Sequence, residues 1–270
     1  MPREMDVKDI FDTGGEIPPA TPAATLVIFR NAADGGPPEL LMVQRSKAMS
    51  FAGGAAVFPG GRVDDADFAL ADALGATDDE HRDELAARIA AVRETLEETG
   101  LAVGVHQRPS LEDALRARAL LLEQGTLAPV LEAMGWTLDL DRLVPFARWR
   151  PKHREVRVFD TRFYLADLGT GAVELLVDDT ENTHLFWASA AGALELAEQG
   201  EIKIIFPTRR NLERLALFGN FDEAVRHVAE YPVRMITPFM ELENGEPWLK
   251  IDADAGYPIT GEKLETAARG

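Results

Sequence analysis

The chain has 270 residues, with 28 Lys and Arg against 46 Asp and Glu, which gives a formal net charge of −18. The acidic balance argues against binding to nucleic acid or to anionic membranes, because both interactions depend on Lys and Arg. The absence of cysteine excludes disulfides, thiolate metal ligands and cysteine nucleophiles. No apolar run of membrane-spanning length and no secretory signal is seen, so a soluble, cytoplasmic protein is expected.

The order of apolar segments and glycine- or proline-rich loops predicts one α+β domain over residues 22–270, after a flexible arm at 1–21. Short β-rich runs predict strands at 25–29, 39–44, 55–58, 144–149, 156–165 and 185–188. Helices are predicted at about 84–99, once or twice within 110–134, and at about 189–199, 208–217 and 221–230. Residues 64–83 and 232–270 are predicted to be irregular, apart from a short strand at 248–251.

The predicted helix at 84–99 carries the most informative pattern in the chain. At about 100° per residue, Glu94, Glu97 and Glu98 share one face, opposite an apolar stripe. Carboxylates at these spacings repel one another, and a hard divalent cation such as Mg²⁺ or Mn²⁺ would relieve that repulsion. Taken alone, the three glutamates favour a solvated helix face of an acidic protein over a metal site.

A second feature lies upstream, where a predicted strand ends in Phe58-Pro59-Gly60-Gly61. Paired glycines allow the backbone to come close to a ligand, although such turns are also ordinary loop chemistry. The turn and the acidic helix together resemble the signature of the Nudix hydrolases, G-x5-E-x7-R-E-U-x-E-E-x-G-U, where U is a bulky apolar residue. The match begins at Gly61 and resumes with Arg93, Glu94, Glu97, Glu98, Gly100 and Leu101.

The sequence departs from this signature in three ways. Thr95 occupies the first apolar position, the early acid is Asp67 rather than Glu, and the spacer before Arg93 is 18 residues too long. An insertion at about 68–85 can loop out without disturbing the helix face that carries the glutamates. An alternative register would use Glu84 as the early acid. A second, helical insertion is expected at about 106–135.

The resemblance implies a Nudix-type α/β/α sandwich with a mixed sheet, and metal-dependent hydrolysis of a diphosphate in a small molecule. It implies Mg²⁺ or Mn²⁺ held by Gly61, Glu94, Glu97 and Glu98. By the same resemblance Arg93 fixes a glutamate through a charged hydrogen bond. The signature does not fix the general base, for which Glu181, in a polar stretch just before a predicted strand, is the candidate. Basic residues that could line the approach of the anionic substrate, although each taken alone favours an ordinary surface charge, are Arg45, Arg62, Lys152, His153, Arg154, Arg209 and Arg210.

Within the family, the upstream segment is similar to the coenzyme A diphosphatases, which makes Arg45, Ser46, Gly54 and Arg62 candidate substrate-binding residues. Ser50 stands where that pattern has a second arginine, so a phosphate-binding cation is missing. Coenzyme A or acyl-coenzyme A is the first candidate substrate. ADP-ribose, a dinucleotide and a nucleotide sugar remain open, as does a non-catalytic binding or regulatory domain. Family members often form homodimers, which no feature of this sequence establishes.

Overall fold

The computed structural model describes residues 19–45, 54–151, 158–169 and 182–267. In these ranges the strands are β1 (Thr21–Arg30), β2 (Glu39–Arg45), β3 (Ala56–Val57), β4 (Gly60–Arg62), β5 (Val144–Trp149), β6 (Phe159–Asp167), β7 (Asn182–Ser189), β8 (Met235–Ile236), β9 (Phe239–Glu243), β10 (Glu246–Lys250) and β11 (Gly261–Lys263). The α-helices are α1 (Asp65–Ala73), α2 (Asp79–Thr99), α3 (Leu111–Gln124), α4 (Leu127–Met134), α5 (Ala190–Glu198), α6 (Phe206–Leu215), α7 (Phe221–Glu230) and α8 (Leu264–Ala267).

Strands β1 to β8 form one mixed sheet in the order β3-β2-β1-β6-β5-β8, with β4 also paired to β1 and β7 to β2. The long central strand β1 runs parallel to β6 and antiparallel to β2 and β4. The register pairs Thr25 with Gly60 and Ala24 with Gly61. The glycine turn is therefore anchored to the middle of the sheet.

Alternate side chains of β1 enter two separate apolar cores, as expected for a strand covered on both faces. Leu26 and Ile28 pack with residues of α1 to α4, whereas Val27 and Phe29 pack with residues of α5 to α7 and the C-terminal segment. The sheet thus lies between two helical layers, and the predicted α+β class and α/β/α sandwich are confirmed. In the part of the chain that the structure describes, no helix is long and apolar enough to cross a bilayer.

The predicted irregular stretch at 64–83 is instead largely helical. Helix α1 occupies its first half, and α2 begins at Asp79 rather than near residue 84. The Asp78 side chain accepts a hydrogen bond from the His81 N–H at 2.9 Å and caps the start of α2. The acidic residues that suggested a loop therefore act as helix-start signals.

The C-terminal tail was predicted to be irregular apart from a short strand at 248–251. That strand is confirmed as part of β10, but the prediction for the rest of the tail is wrong. Strands β9, β10 and β11 form a second antiparallel sheet of three strands. Its first hairpin turns at Asn244 and Gly245, whose φ angles are 52° and 84°. An Asn-Gly pair between two short strands is a strong hairpin signal. The charged residues of these exposed strands obscured the alternation that would have predicted them.

The region expected as a helical insertion contains α3 and α4, and Gly125 ends α3 in the left-handed conformation. Both helices bury apolar residues in the core that also holds α2. Strand β1 begins at Thr21, the last residue of the predicted arm. Residues 1–18 of that arm lie outside the described residues.

Candidate active site

Strand β4 and the C-terminal half of α2 bring the glycine turn and the glutamates together. A Cβ atom added to Gly61 would lie 2.4 Å from the Glu94 Cδ and Oε1 atoms, a distance that real side chains do not tolerate. Gly60 has a φ of 154°, and a Cβ there would lie 2.3 Å from the Ala24 carbonyl oxygen. Glycine is therefore required at position 60, whereas any side chain at position 61 would have to displace the Glu94 carboxylate, which packs directly on the strand.

Glu98 contacts the same turn. Its Oε2 accepts a hydrogen bond from the Gly60 N–H at 3.0 Å, and the residue is only 7% exposed. Glu97 is more open, with 36% of its side chain exposed. The three glutamates thus share a helix face, as predicted, but Glu94 and Glu98 are held against the sheet rather than solvated. This placement separates them from ordinary surface glutamates.

Arg93 fixes the position of Glu94 and connects it to Asp67 through hydrogen bonds. Its Nε and Nη2 donate to the two Asp67 carboxylate oxygens at 3.1 and 3.0 Å, and its Nη1 donates to Glu94 Oε1 at 2.9 Å. Nη2 also donates to the Arg62 carbonyl oxygen at 2.9 Å. Burial opposes the charge on Arg93, but the Asp67 hydrogen bonds and the neighbouring carboxylates outweigh burial, so its pKa lies above the usual value. A guanidinium so fully engaged orients Glu94 and is not free to bind substrate.

The structure distinguishes the two registers proposed for the early acid. Asp67 is 1% exposed and lies against Arg93, despite the long spacer between them. Glu84 instead pairs with Arg88 at 3.0 Å and Arg162 at 3.4 Å. The extra residues form part of α1 and the first turns of α2. Their path lets Asp67 contact Arg93 across the long spacer. The altered acid and the long spacer are therefore compatible with an assembled motif.

The electrostatics of the site centre on Glu94. Burial raises the pKa of its carboxyl to about 7, with the charge of Arg93 lowering it and that of Glu97 raising it. A carboxyl with a pKa near neutrality is only partly ionised at physiological pH. A bound cation would favour the ionised form and bring the pKa down.

The candidate metal ligands are the carboxylate oxygens of Glu94, Glu97 and Glu98, and oxygen ligands suit a hard divalent cation. No three Asp, Glu or His side chains among the described residues stand close enough to enclose an ion by themselves. Mg²⁺ is usually held by one or two carboxylates together with waters and substrate phosphates, rather than by an all-protein cage. Glu94 and Glu98 match that kind of partial ligand set.

Of the predicted substrate-binding residues, Arg45 is the last residue of β2 and Gly54 is hydrogen-bonded to it. The Gly54 N–H donates to the Arg45 carbonyl oxygen at 3.1 Å, and Gly54 adopts a φ of 80°. Arg62 projects outward from β4, with 63% of its side chain exposed. Ser46 and Glu181 lie outside the described residues, although Asn182, which follows Glu181, pairs with Arg45 across the sheet.

Two of the basic residues expected near the substrate lie elsewhere. Arg209 and Arg210 belong to α6, on the opposite face of the sheet, where Arg210 is buried and contacts Glu213 at 2.8 Å and Glu262 at 3.5 Å. The expectation that they line the approach is wrong. Adjacent arginines looked like a surface patch because the sequence does not show the carboxylates that pair with them. Lys152, His153 and Arg154 lie outside the described residues.

Sequence reasoning missed two contacts that support the glutamates. The Gly60 N–H donates to Glu98 across 38 positions of sequence, so no local pattern predicts this contact. Arg118 on α3 donates from Nε to the Glu97 carbonyl oxygen at 2.7 Å and thus ties the helical insertion to the end of α2. No local signal identifies Arg118, because the two residues are 21 positions apart.

Comparison with known proteins agrees with this geometry. A family model for the Nudix domain matches residues 20–205. The chain is 29% identical over 269 residues to acyl-coenzyme A diphosphatase NUDT19 of Gallus gallus, a match covering 80% of this chain and 69% of that protein. A crystal structure of a Nudix hydrolase from Alicyclobacillus acidocaldarius is 30% identical, with a TM-score of 0.66, and the match covers 77% of this chain and 96% of that one. The chain therefore belongs to the Nudix family of hydrolases.

Proposed function

We propose that this chain hydrolyses the diphosphate of coenzyme A or acyl-coenzyme A in a reaction that depends on Mg²⁺ or Mn²⁺. The observation that carries the chemistry is the placement of Glu94 and Glu98 against the Gly60-Gly61 turn, with Arg93 fixing Glu94. The similarity to an acyl-coenzyme A diphosphatase supports the substrate. The upstream segment at Arg45 also resembles coenzyme A diphosphatases, apart from Ser50.

Glu94 and Glu98 would hold the cations, and Glu97 would add a ligand from the more exposed side. Divalent cations bound there would neutralise the charge around the phosphorus and lower the pKa of the attacking water. Arg93 keeps one Glu94 oxygen in place, and the Gly60 N–H does the same for Glu98. Preset orientation of this kind reduces the reorganisation needed during the reaction.

In the reaction, a water oxygen forms a bond to one phosphorus while the bond from that phosphorus to the bridging oxygen breaks. The water proton passes to a general base, for which Glu181 is the candidate because the chain places it next to Asn182, the partner of Arg45 in the sheet. The products are 3′,5′-ADP and 4′-phosphopantetheine, or its acyl form. Arg45 is proposed to contact a phosphate of the substrate.

The test is hydrolysis of coenzyme A, acetyl-coenzyme A, ADP-ribose, NADH and a nucleotide sugar with Mg²⁺ or Mn²⁺. Wild type is compared with Glu98→Gln, and with Glu198→Gln as a matched control at an exposed position on α5. Selective cleavage of the coenzyme A compounds is expected. We expect Glu98→Gln to lower kcat and Mn²⁺ affinity by at least about tenfold, the scale seen when a metal site loses a supporting group.

Cleavage of ADP-ribose or a nucleotide sugar in preference to coenzyme A would still support metal-dependent diphosphate hydrolysis. It would refute coenzyme A as the substrate. Full activity of Glu98→Gln would refute the assignment of the glutamates. Because Glu198→Gln makes the same chemical change on a solvent-exposed helix end, it should leave both activity and metal affinity unchanged.

A further inference from the structure

The last turn of α2 carries Glu97 and Glu98, and one of its carbonyl groups is bound by a side chain from the helical insertion. In a continuous helix the Glu97 carbonyl oxygen would accept the N–H of Leu101, four positions further on. The chain leaves the helix after Thr99, and the Leu101 N–H donates to the Thr99 hydroxyl at 3.2 Å instead. Arg118 on α3 donates from Nε to the Glu97 carbonyl oxygen at 2.7 Å and so replaces the missing backbone donor.

The charge of Arg118 also suits this position. The carboxyl end of a helix carries a partial negative charge, which favours cations and disfavours carboxylates there. Helix α2 nevertheless ends in Leu96-Glu97-Glu98-Thr99, with two carboxylates and no basic residue in its own last turn. The Arg118 guanidinium supplies a cation that this turn does not itself contain, and a hydrogen bond from a charged donor is stronger than one from a neutral donor.

Helix α3 fixes the backbone of Arg118 relative to α2. The helix starts at Ser110, whose hydroxyl accepts the Asp113 N–H at 3.1 Å. Ala114 and Leu121, four positions before and three positions after Arg118, lie on the same helix face. Both are buried in the core that also holds α2. The face that carries Arg118 is therefore packed against the body of the domain.

The contact affects where the Glu97 and Glu98 carboxylates lie. Glu97 Oε2 is 3.7 Å from Arg93 Nη1, which is beyond hydrogen-bond distance, so its direction also depends on the backbone of its own turn. Glu98 reaches the Gly60 N–H from the same turn. Because helix ends fray and their last carbonyls need partners from elsewhere, losing the Arg118 contact would loosen both carboxylates at once.

We propose that Arg118 is a positioning residue of the metal site. By binding the Glu97 carbonyl oxygen it keeps the last turn of α2 helical, and thereby holds the Glu97 and Glu98 carboxylates where the divalent cation binds. The helical insertion thus supports the site from behind, without touching the reacting atoms. The inference rests on the proposed metal-dependent hydrolysis, but cation binding can be measured without any substrate.

The test compares Arg118→Met, which keeps the apolar stem but removes the donor and the charge, with Arg118→Lys, which keeps both. Mn²⁺ affinity is measured by electron paramagnetic resonance without substrate, and kcat and KM are measured with coenzyme A at saturating Mn²⁺. Arg118→Met should weaken Mn²⁺ binding and lower kcat by about tenfold each, the scale seen when a metal site loses a supporting group, while KM changes little. Arg118→Lys should recover most of both losses. Arg116→Met is the matched control at an exposed position of the same helix, and it should behave as wild type.

Circular dichroism establishes that each variant is folded at the assay temperature, and the shorter, neutral Arg118→Gln serves for the same comparison if Arg118→Met does not fold. A lower Tm of Arg118→Met with wild-type Mn²⁺ affinity and kcat would show a purely structural role and overturn the proposal. Equal losses in Arg116→Met would also overturn it. Failure of the wild type to cleave coenzyme A would refute the proposed function alone, because the Mn²⁺ affinity of Arg118→Met would still decide the role of Arg118.

Discussion

Replacing Asp67 with asparagine tests the interaction that connects the two halves of the interrupted motif. In the native protein both Asp67 oxygens accept hydrogen bonds from Arg93, and one also accepts the Asp64 N–H at 2.9 Å. Asparagine retains one acceptor but turns an NH₂ group toward the guanidinium. Arg93, with 5% of its side chain exposed, would then be a buried cation facing a donor.

Breaking a buried ion pair on one side costs about 3–5 kcal/mol. Because Glu94 still pairs with Arg93, for Asp67→Asn we expect a loss of unfolding free energy at the lower end of that range and a fall in Tm on the order of 10 °C. Urea unfolding followed by circular dichroism gives the free energy directly. Since Arg93 also holds Glu94, kcat should fall in the folded variant as well.

Asp72→Asn provides a matched control. Asp72 binds Arg82 with the same two-point geometry, at 2.6 and 3.0 Å, but at the protein surface. The same substitution there removes a solvent-screened pair and should change stability little. If Asp67→Asn were no more destabilising than Asp72→Asn, the buried pair with Arg93 would not be the anchor of the site. A larger loss in Glu84→Gln than in Asp67→Asn would restore the alternative register.

Two further predictions concern other parts of the molecule. Gly61→Ala should lower kcat by at least about tenfold, because the added Cβ would displace the Glu94 carboxylate, and steady-state kinetics would detect the loss. Burial raises the pKa of Glu213 to about 7, with Arg210 opposing it. The folded state thus binds more protons than the unfolded chain between pH 4.5 and 7, so stability should decrease as pH rises through that window. In Glu213→Gln this slope should flatten by up to about 1.4 kcal/mol per pH unit, measured by urea unfolding in metal-free buffer; an unchanged slope would contradict the assignment.

The sequence predicted the α+β class, the acidic helix and the glycine turn because these features depend on local pattern. The 3.6-residue period of α2 places Glu94, Glu97 and Glu98 on one face whatever surrounds the helix. The match to the family signature predicted in addition that the glycine turn and this helix face form one site. Helix α1, the early start of α2 and the hairpin at Asn244 were missed, although Asp64, Asp78 and the Asn-Gly pair were the respective local signals for them.

Other features were decided only by tertiary structure. The partner of Arg93 follows from the path of the inserted segment, which returns Asp67 to the guanidinium across 26 positions of sequence. The same is true of Arg118 and the Glu97 carbonyl, and of Arg210 and Glu262. Burial and charge compensation depend on which distant segments pack together, and a sequence pattern records the periodicity of one segment at a time. For this reason the acidic face of α2 was visible in the sequence, whereas the contacts that hold its glutamates against the sheet were visible only in the folded chain.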